Sequence, residues 1–379
     1  MNILFITRTD PEDRRAYSGT FYSIYKALKV HHQIEWIGES EFTLWQKAFF
    51  FILRKTARIM GYTYLPENTK LFSKFYAFNV KKDLKNKKFD IIFSPISSDL
   101  IAYLETDKPI VYLSDATFES LVDYYKLFTN LSPGKIKGGN EIEKRVQARA
   151  DKIIYSSEWA RSSSINYYKT PAEKVSTIPF GPNLARIPER LELSLKALPG
   201  QKLKILFLGV DWERKGGEIA YGAYLLLKNK GIDCSFTIIG CVPPFAIDDV
   251  NVTIISFLDK NKPDEFGKLY SILLNTDLFL LPTRAECCPI VVGEASAFGI
   301  PSVSTDTGGV GTAVKDGVNG FLLPIEAKSD QYADKIEEIW GDKRYYSDLR
   351  EKSRKEYETR LSWEIWSKEV NKLLSELKR

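Results

Sequence analysis

Two glutamates eight positions apart, Glu286 and Glu294, stand in the stretch RAECCPIVVGEASAFGIPSVST, on either side of a Cys-Cys-Pro corner. Pro289 suits the first turn of a helix, where its missing N–H costs nothing. From there IVVGEASAFG reads as helical up to Gly299, a stop signal before Pro301. Glu286 then lies in the loop leaving the strand LFLLPT, and Glu294 lies roughly 7 to 8 Å along the helix at 1.5 Å per residue. Two carboxylates so placed can hold separate ends of one ligand. The helix start between them, at Ile290 and Val291, carries the partial positive charge suited to phosphate. The order is hydroxyl, phosphate, hydroxyl, the outline of a nucleotide sugar, whose vicinal hydroxyls donate strongly to carboxylates. The alternative is a surface acid plus a helix-interior acid bridged to an arginine or lysine.

A second constellation is FLGVDWERKGGEIAYGAYLL. Its strand ends at Gly209, and Arg214 and Lys215 arrive just before Gly216 and Gly217 at a helix start. Two cations and free N–H groups would face one point, where a diphosphate fits. Solvated turn residues are the other reading.

The elements that must position these residues follow from the hydrophobic pattern. Short runs rich in Ile, Val and Phe alternate with longer amphipathic stretches, as in parallel sheets wrapped by helices. NILFIT, QIEWIG, DIIFSP, PIVYLS, KIIYSS and VSTIPF supply one sheet; LKILFLG, SFTIIG, NVTIIS, LFLLPT and PSVST supply another. At 379 residues the chain suits two domains with a cleft between them. The Pro- and Gly-bearing stretch from Arg186 to Lys202 reads as the linker. The expected division is an N-terminal domain at 1–190, a C-terminal domain at 191–355, and a final helix at 356–379 whose apolar residues, Trp363, Ile365, Trp366, Val370, Leu373 and Leu374, form a packing stripe that could return to the first domain. In open parallel sheets, ligands bind beyond the carboxyl ends of the strands. The informative loops, RTDPEDRRAYSGT, GVDWERKGG, PTRAECCP and TDTGGVG, all follow strands.

Composition narrows the function classes. The hydrophobic fraction of 44% and charged fraction of 27% describe a globular chain. A net charge of +5 with scattered basic residues and no recognition-helix or zinc spacing argues against nucleic acid. Four cysteines without a secretory signal suggest a reducing cytoplasm. No Gly-x-Gly-x-x-Gly follows any strand, which disfavours a nicotinamide dehydrogenase. Neither an Asp-x-Asp clamp nor a His/Cys ligand cluster occurs, so metal-independent chemistry is expected. The stretch from Leu44 to Tyr62 sets Trp45, Phe49, Ile52 and Leu53 among Lys47, Arg54, Lys55 and Arg58. It fits either a helix lying in an anionic membrane interface or a core helix.

The run Glu286-x7-Glu294, followed by ASAFGIPSVSTDTGGVGTAVKDGVNGFLLP, resembles the signature of the retaining glycosyltransferases of family 4, with the two-domain GT-B fold. That resemblance implies an α/β architecture of two Rossmann-like domains whose parallel sheets face across a cleft. It implies that Glu286 lies at the transferred sugar, Glu294 at the ribose and Lys215 at the diphosphate. Gly19 and Thr20, in YSGTFYSIYKAL, resemble the glycine loop near the donor phosphates, and Gly308 and Gly309 the loop beside sugar or acceptor. Where the family has an Arg after the strand-end glycine this chain has Val210, leaving Arg214 as the second phosphate cation. Cys-Cys-Pro replaces the common Phe-Gly after the first Glu. The family's sugar-facing His has no counterpart: His31 and His32 read as surface residues, and Asp115 takes its place, with a helix N-cap at Asp115 or Thr117 as the competing role.

The implied activity is transfer of a hexose from a nucleoside-diphosphate sugar, with UDP-glucose the favoured donor. The acceptor is a hydroxyl of a glycan, lipid or small molecule. The nucleotide sugar is a substrate, and no cofactor is expected. The rivals are another nucleotide-sugar enzyme on this scaffold, an epimerase or a phosphorylase, and an inert binding subunit.

Overall fold

A computed structural model of the protein describes residues 1–38, 43–62, 69–194 and 202–377. The chain forms two compact units, Met1–Ile178 with Ser367–Arg379, and Pro179–Trp366. The first holds six parallel strands: β1 (Asn2–Ile6), β2 (Gln33–Ile37), β3 (Ile91–Pro95), β4 (Ile110–Ser114), β5 (Lys152–Tyr155) and β6 (Val175–Thr177), in the order β2-β1-β3-β4-β5-β6. The second holds β7 (Leu203–Leu208), β8 (Cys234–Ile239), β9 (Val252–Ile255), β10 (Leu278–Leu281), β11 (Ser302–Thr305) and β12 (Gly320–Leu323), in the order β12-β11-β10-β7-β8-β9. Strands β3, β4, β10 and β11 are buried along their whole length, as parallel strands covered on both faces must be. Each unit is Rossmann-like.

Eleven of these strands coincide with the apolar runs. β12 does not: its four residues sit in DGVNGFLLP, where the turn residues mask a short edge strand. Gly320 opens it because a Cβ there would stand 1.9 Å from the Ser302 carbonyl oxygen across the ladder.

The expected division placed Pro179–Arg190 with the first domain; by contacts these residues go with the second unit. The Trp363 indole donates to the Pro182 carbonyl at 3.0 Å, and its ring stacks on Phe180 at 5.8 Å. Of the stretch read as a linker, residues 195–201 lie outside the described residues, and its described part includes the helix Arg190–Ser194, where Arg190 donates to Glu358 at 2.6 Å. In the last helix, Trp363–Ser375, the side chains of Trp366, Val370 and Leu374 are buried at helical spacing. Its residues from Ser367 belong to the first unit, where the Ser367 hydroxyl donates to the Ala27 carbonyl at 2.8 Å and Lys152 donates to Glu376 at 2.7 Å.

The stretch from Leu44 is a helix, Leu44–Ile59. Among the described residues, no helix is long and apolar enough to cross a membrane.

Candidate functional site

In the second unit the strand order reverses between β7 and β10, which pair in parallel. Their carboxyl ends are therefore adjacent, and the loops leaving them diverge over the kind of crevice where open α/β sheets take ligands. The first loop runs from Gly209 to Gly216 and ends at the helix Gly217–Asn229; the second runs from Pro282 to Pro289 and ends at the helix Ile290–Ala297.

The two loops are stitched together. Arg284 N–H donates to the Arg214 carbonyl at 2.7 Å, and the Arg214 guanidinium donates to the Ala285 carbonyl at 2.9 Å. Gly216 makes the approach feasible: it adopts φ +74°, and a Cβ there would lie 1.9 Å from the Pro282 carbonyl oxygen. Gly209 has the matching role beneath Lys215, whose Cγ would stand 2.8 Å from an added Cβ. Lys215 is thus buried, and its ammonium donates to the Glu286 carboxylate. The Arg214 guanidinium lies 3.6 Å from the same carboxylate and 3.6 Å from Asp211. Arg214 and Lys215 are therefore organised groups of a shared cluster, not solvated turn residues, and Glu286 is no surface acid.

Gly308 and Gly309 follow β11, and Gly309 N–H donates to the Glu286 carbonyl at 2.8 Å, which joins the glycine loop to the same point. Asn319 braces this arrangement from below, donating to the Ala313 carbonyl at 2.9 Å and to the Ser296 hydroxyl at 3.3 Å.

Glu294 sits in the helix Ile290–Ala297 and is 0% exposed. Its Oε1 accepts from the ammonium of Lys260, while its Oε2, fully enclosed, has no hydrogen-bond partner among the described residues. The structure gives each glutamate its own lysine. Lys260 was absent from the expected site, although it lies in the loop after β9 and the rule that flagged the other loops applies to it equally. The helix start differs from expectation at Ile290: its N–H donates to the Cys288 carbonyl at 2.9 Å and so is used locally. Val291, like Ile290, is half-buried. Gly299, at φ +63°, ends this helical segment as expected.

The remaining expected residues belong to the first unit. Tyr17, Ser18 and Gly19 all have positive φ, +50°, +55° and +84°, immediately before Thr20 opens the helix Thr20–Lys29. Non-glycine residues held in that region store strain that the surrounding structure must sustain. Here the Tyr17 hydroxyl donates to Asp115 at 2.5 Å and its ring stacks on Phe21 at 5.2 Å. Gly19 and Thr20 are buried. The N-cap after β4 is Thr117, whose hydroxyl accepts from Ser120 N–H at 3.2 Å, so Asp115 is not used as the cap. Sequence reading did not anticipate the Tyr17–Asp115 contact, which joins loops 98 positions apart.

Known proteins match both halves of the chain. A family profile described as "Glycosyltransferase Family 4" matches residues 22–186, and one described as "Glycosyl transferases group 1" matches residues 193–356. The amylovoran biosynthesis glycosyltransferase AmsK of Erwinia amylovora is 33% identical over 165 residues, 41% of this chain and 39% of AmsK. The chain spans about half the length of the curated relatives it matches or less. Among solved structures, sucrose-phosphate synthase from Thermosynechococcus elongatus superposes with TM-score 0.68 at 16% identity, covering 100% of this chain and 99% of that one. Anabaena Alr3699/HepE in complex with UDP-glucose gives 0.63 at 15%, covering 99% and 100%. These likenesses concern the fold. With two profiles that between them take in most of its length, the chain belongs to the family 4, group 1 glycosyltransferases of GT-B fold.

Proposed function

We propose that this protein transfers a hexose from a nucleoside-diphosphate sugar to an acceptor hydroxyl, with retention at the anomeric carbon. One observation carries the reading: a wholly enclosed Glu294 with one unpartnered carboxylate oxygen lies one helix start away from the Lys215–Arg214–Glu286 cluster. An enclosed carboxylate oxygen without a donor is costly, and a ribose hydroxyl is the kind of donor that relieves it once the side chains covering the carboxylate move aside. Lys260 holds the other oxygen and fixes the carboxylate's orientation.

Lys215 and Arg214 then exchange part of their interaction with Glu286 for the donor's diphosphate and stabilise it as it leaves. That electrostatic role is one that metal ions fill in other nucleotide-sugar enzymes, so turnover is independent of added metal. Glu286 orients the sugar and offsets positive charge developing at the anomeric carbon. The acceptor hydroxyl attacks from the face the diphosphate vacates and gives its proton to the leaving phosphate. The ligands of the Anabaena neighbour favour UDP-glucose, and the likeness to AmsK favours a glycan acceptor.

The test is a thermal-shift panel of UDP, GDP, ADP and their sugars. A ligand that binds only the folded protein at 100 times its Kd stabilises it by about 2.7 kcal/mol. A uridine nucleotide should raise Tm in the wild type and much less in Glu294→Ala. A flat response to the whole panel contradicts the proposal.

A further inference from the structure

The helix Leu44–Ile59 presents an apolar face outward. Its inward stripe is narrow: Gln46, Phe50, Leu53 and Ala57, at i, i+4, i+7 and i+11, with Phe50 5.6 Å from the ring of Phe72 in the helix Lys70–Asn86. On the far side Leu44, Phe51, Ile52 and Ile59 are exposed, Phe51 at 67% and Ile52 at 61%, while Trp45 lies at the border with its ring edge-on to Phe75 at 5.5 Å. Water is a poor partner for such a face, and contiguous apolar surface of this kind marks a contact surface.

Charge identifies the partner. The helix carries Lys47, Arg54, Lys55 and Arg58 and no acidic residue, and all four cations are exposed. Lys47, Arg54 and Arg58, at i, i+7 and i+11, run along one border of the apolar arc. Lys55 falls within the arc, where its stem can lie along the apolar surface with the ammonium at the polar level. The neighbouring helix adds exposed Leu71, Lys74 and Phe78 at i, i+3 and i+7, a second mixed stripe, while Lys81 one turn on is paired with Glu105 at 3.2 Å. A second copy of this chain would bring the same cations against themselves. The geometry points to an anionic lipid surface, with the helix lying in the interface plane, its apolar face at the acyl boundary and its cations among the headgroups. This attachment is independent of the nucleotide-sugar reading, since it uses none of those residues.

The test is sedimentation of the full chain with sucrose-loaded vesicles of phosphatidylcholine alone or with phosphatidylglycerol at about 30 mol%, near the anionic content that gives physiological surface potentials. The protein should pellet with the anionic vesicles and be released as salt rises. Each cation near such a surface strengthens binding about five-fold. The variant Arg54→Gln/Lys55→Gln/Arg58→Gln should therefore weaken partitioning on the order of 100-fold. Phe51→Ser/Ile52→Ser should weaken it at least about ten-fold by removing buried apolar area. Both variants replace exposed side chains, and unchanged circular dichroism and Tm would show that they fold. Protein remaining in the supernatant, or pelleting that ignores lipid charge and both variants, overturns the assignment. So does concentration-dependent self-association abolished by Phe51→Ser/Ile52→Ser, which would give the face to a second copy. Donor binding in vesicle-free solution reports separately on the nucleotide-sugar reading.

Discussion

Lys215 and Glu286, 71 positions apart in sequence, form a buried ion pair because β7 and β10 are neighbours and Gly216 lets the loop after one close on the loop after the other. The pair gives the second unit a fixed charge cluster at its strand ends, and most of the expected chemistry depends on it.

The two glutamates should fail differently. In the proposed mechanism Glu294 holds the donor both before and during reaction, so Glu294→Ala should raise donor KM with a smaller change in kcat. The interaction proposed for Glu286 is concentrated in the transition state, so Glu286→Ala should chiefly lower kcat, by about 100-fold or more. Steady-state kinetics on purified variants checks both; wild-type constants in either would remove that residue from the site.

Gly216→Ala introduces a Cβ both into a left-handed backbone position and against the Pro282 carbonyl. The conformational strain alone costs about 1 to 3 kcal/mol, and displacement of Lys215 should lower kcat as well. Urea unfolding and kinetics measure the two effects. Unchanged stability would mean that the loops do not need to be this close.

Lys260→Ala strands the enclosed Glu294 carboxylate. Breaking a fully buried pair costs about 3 to 5 kcal/mol; because Lys260 is partly exposed, about 2 kcal/mol is expected here. Adding Glu294→Gln to the lysine variant should recover most of the loss, because no uncompensated charge remains. Additive losses in the double-mutant cycle would argue against coupling.

In the first unit Glu143 is fully buried, accepting from Gln147 at 2.9 Å and from Tyr155 and Tyr112 at 3.3 Å each. Burial raises its carboxyl to about 7, and those hydrogen bonds moderate the rise. A folded-state value above the unfolded one means that folding favours the protonated acid. This contribution is full below the ordinary carboxyl range and is lost as pH rises through about 7, a swing on the order of 3 kcal/mol. Glu143→Gln should flatten the stability profile between about pH 5 and 8.5 and raise Tm at its alkaline end. Parallel decline of both proteins would assign the pH dependence elsewhere.

In the proposed mechanism Lys215 and Arg214 supply the charge for the leaving diphosphate, so addition of a chelator to the transfer assay should leave the rate unchanged. Strict dependence on Mg²⁺ or Mn²⁺ would contradict that division of labour.

Much of this was legible in the sequence because parallel strands buried on both faces are nearly continuous apolar runs, and because loops after such strands are where chemistry gathers. β12 escaped because four residues opening on glycine carry little pattern. The Ile290 N–H was expected to face a ligand, but the Cys-Cys-Pro corner folds back on it. Lys260 and Tyr17 escaped for another reason: their partnerships with Glu294 and Asp115 are fixed by tertiary approach over 34 and 98 positions, and no local spacing encodes that.

A crystal structure with UDP-glucose bound should show ribose hydroxyls within hydrogen-bond distance of Glu294, the diphosphate against Lys215 and Arg214, and the hexose beside Glu286. A nucleotide lodged elsewhere, with Glu294 still enclosed against Lys260 and untouched by ligand, would contradict the proposed mechanism.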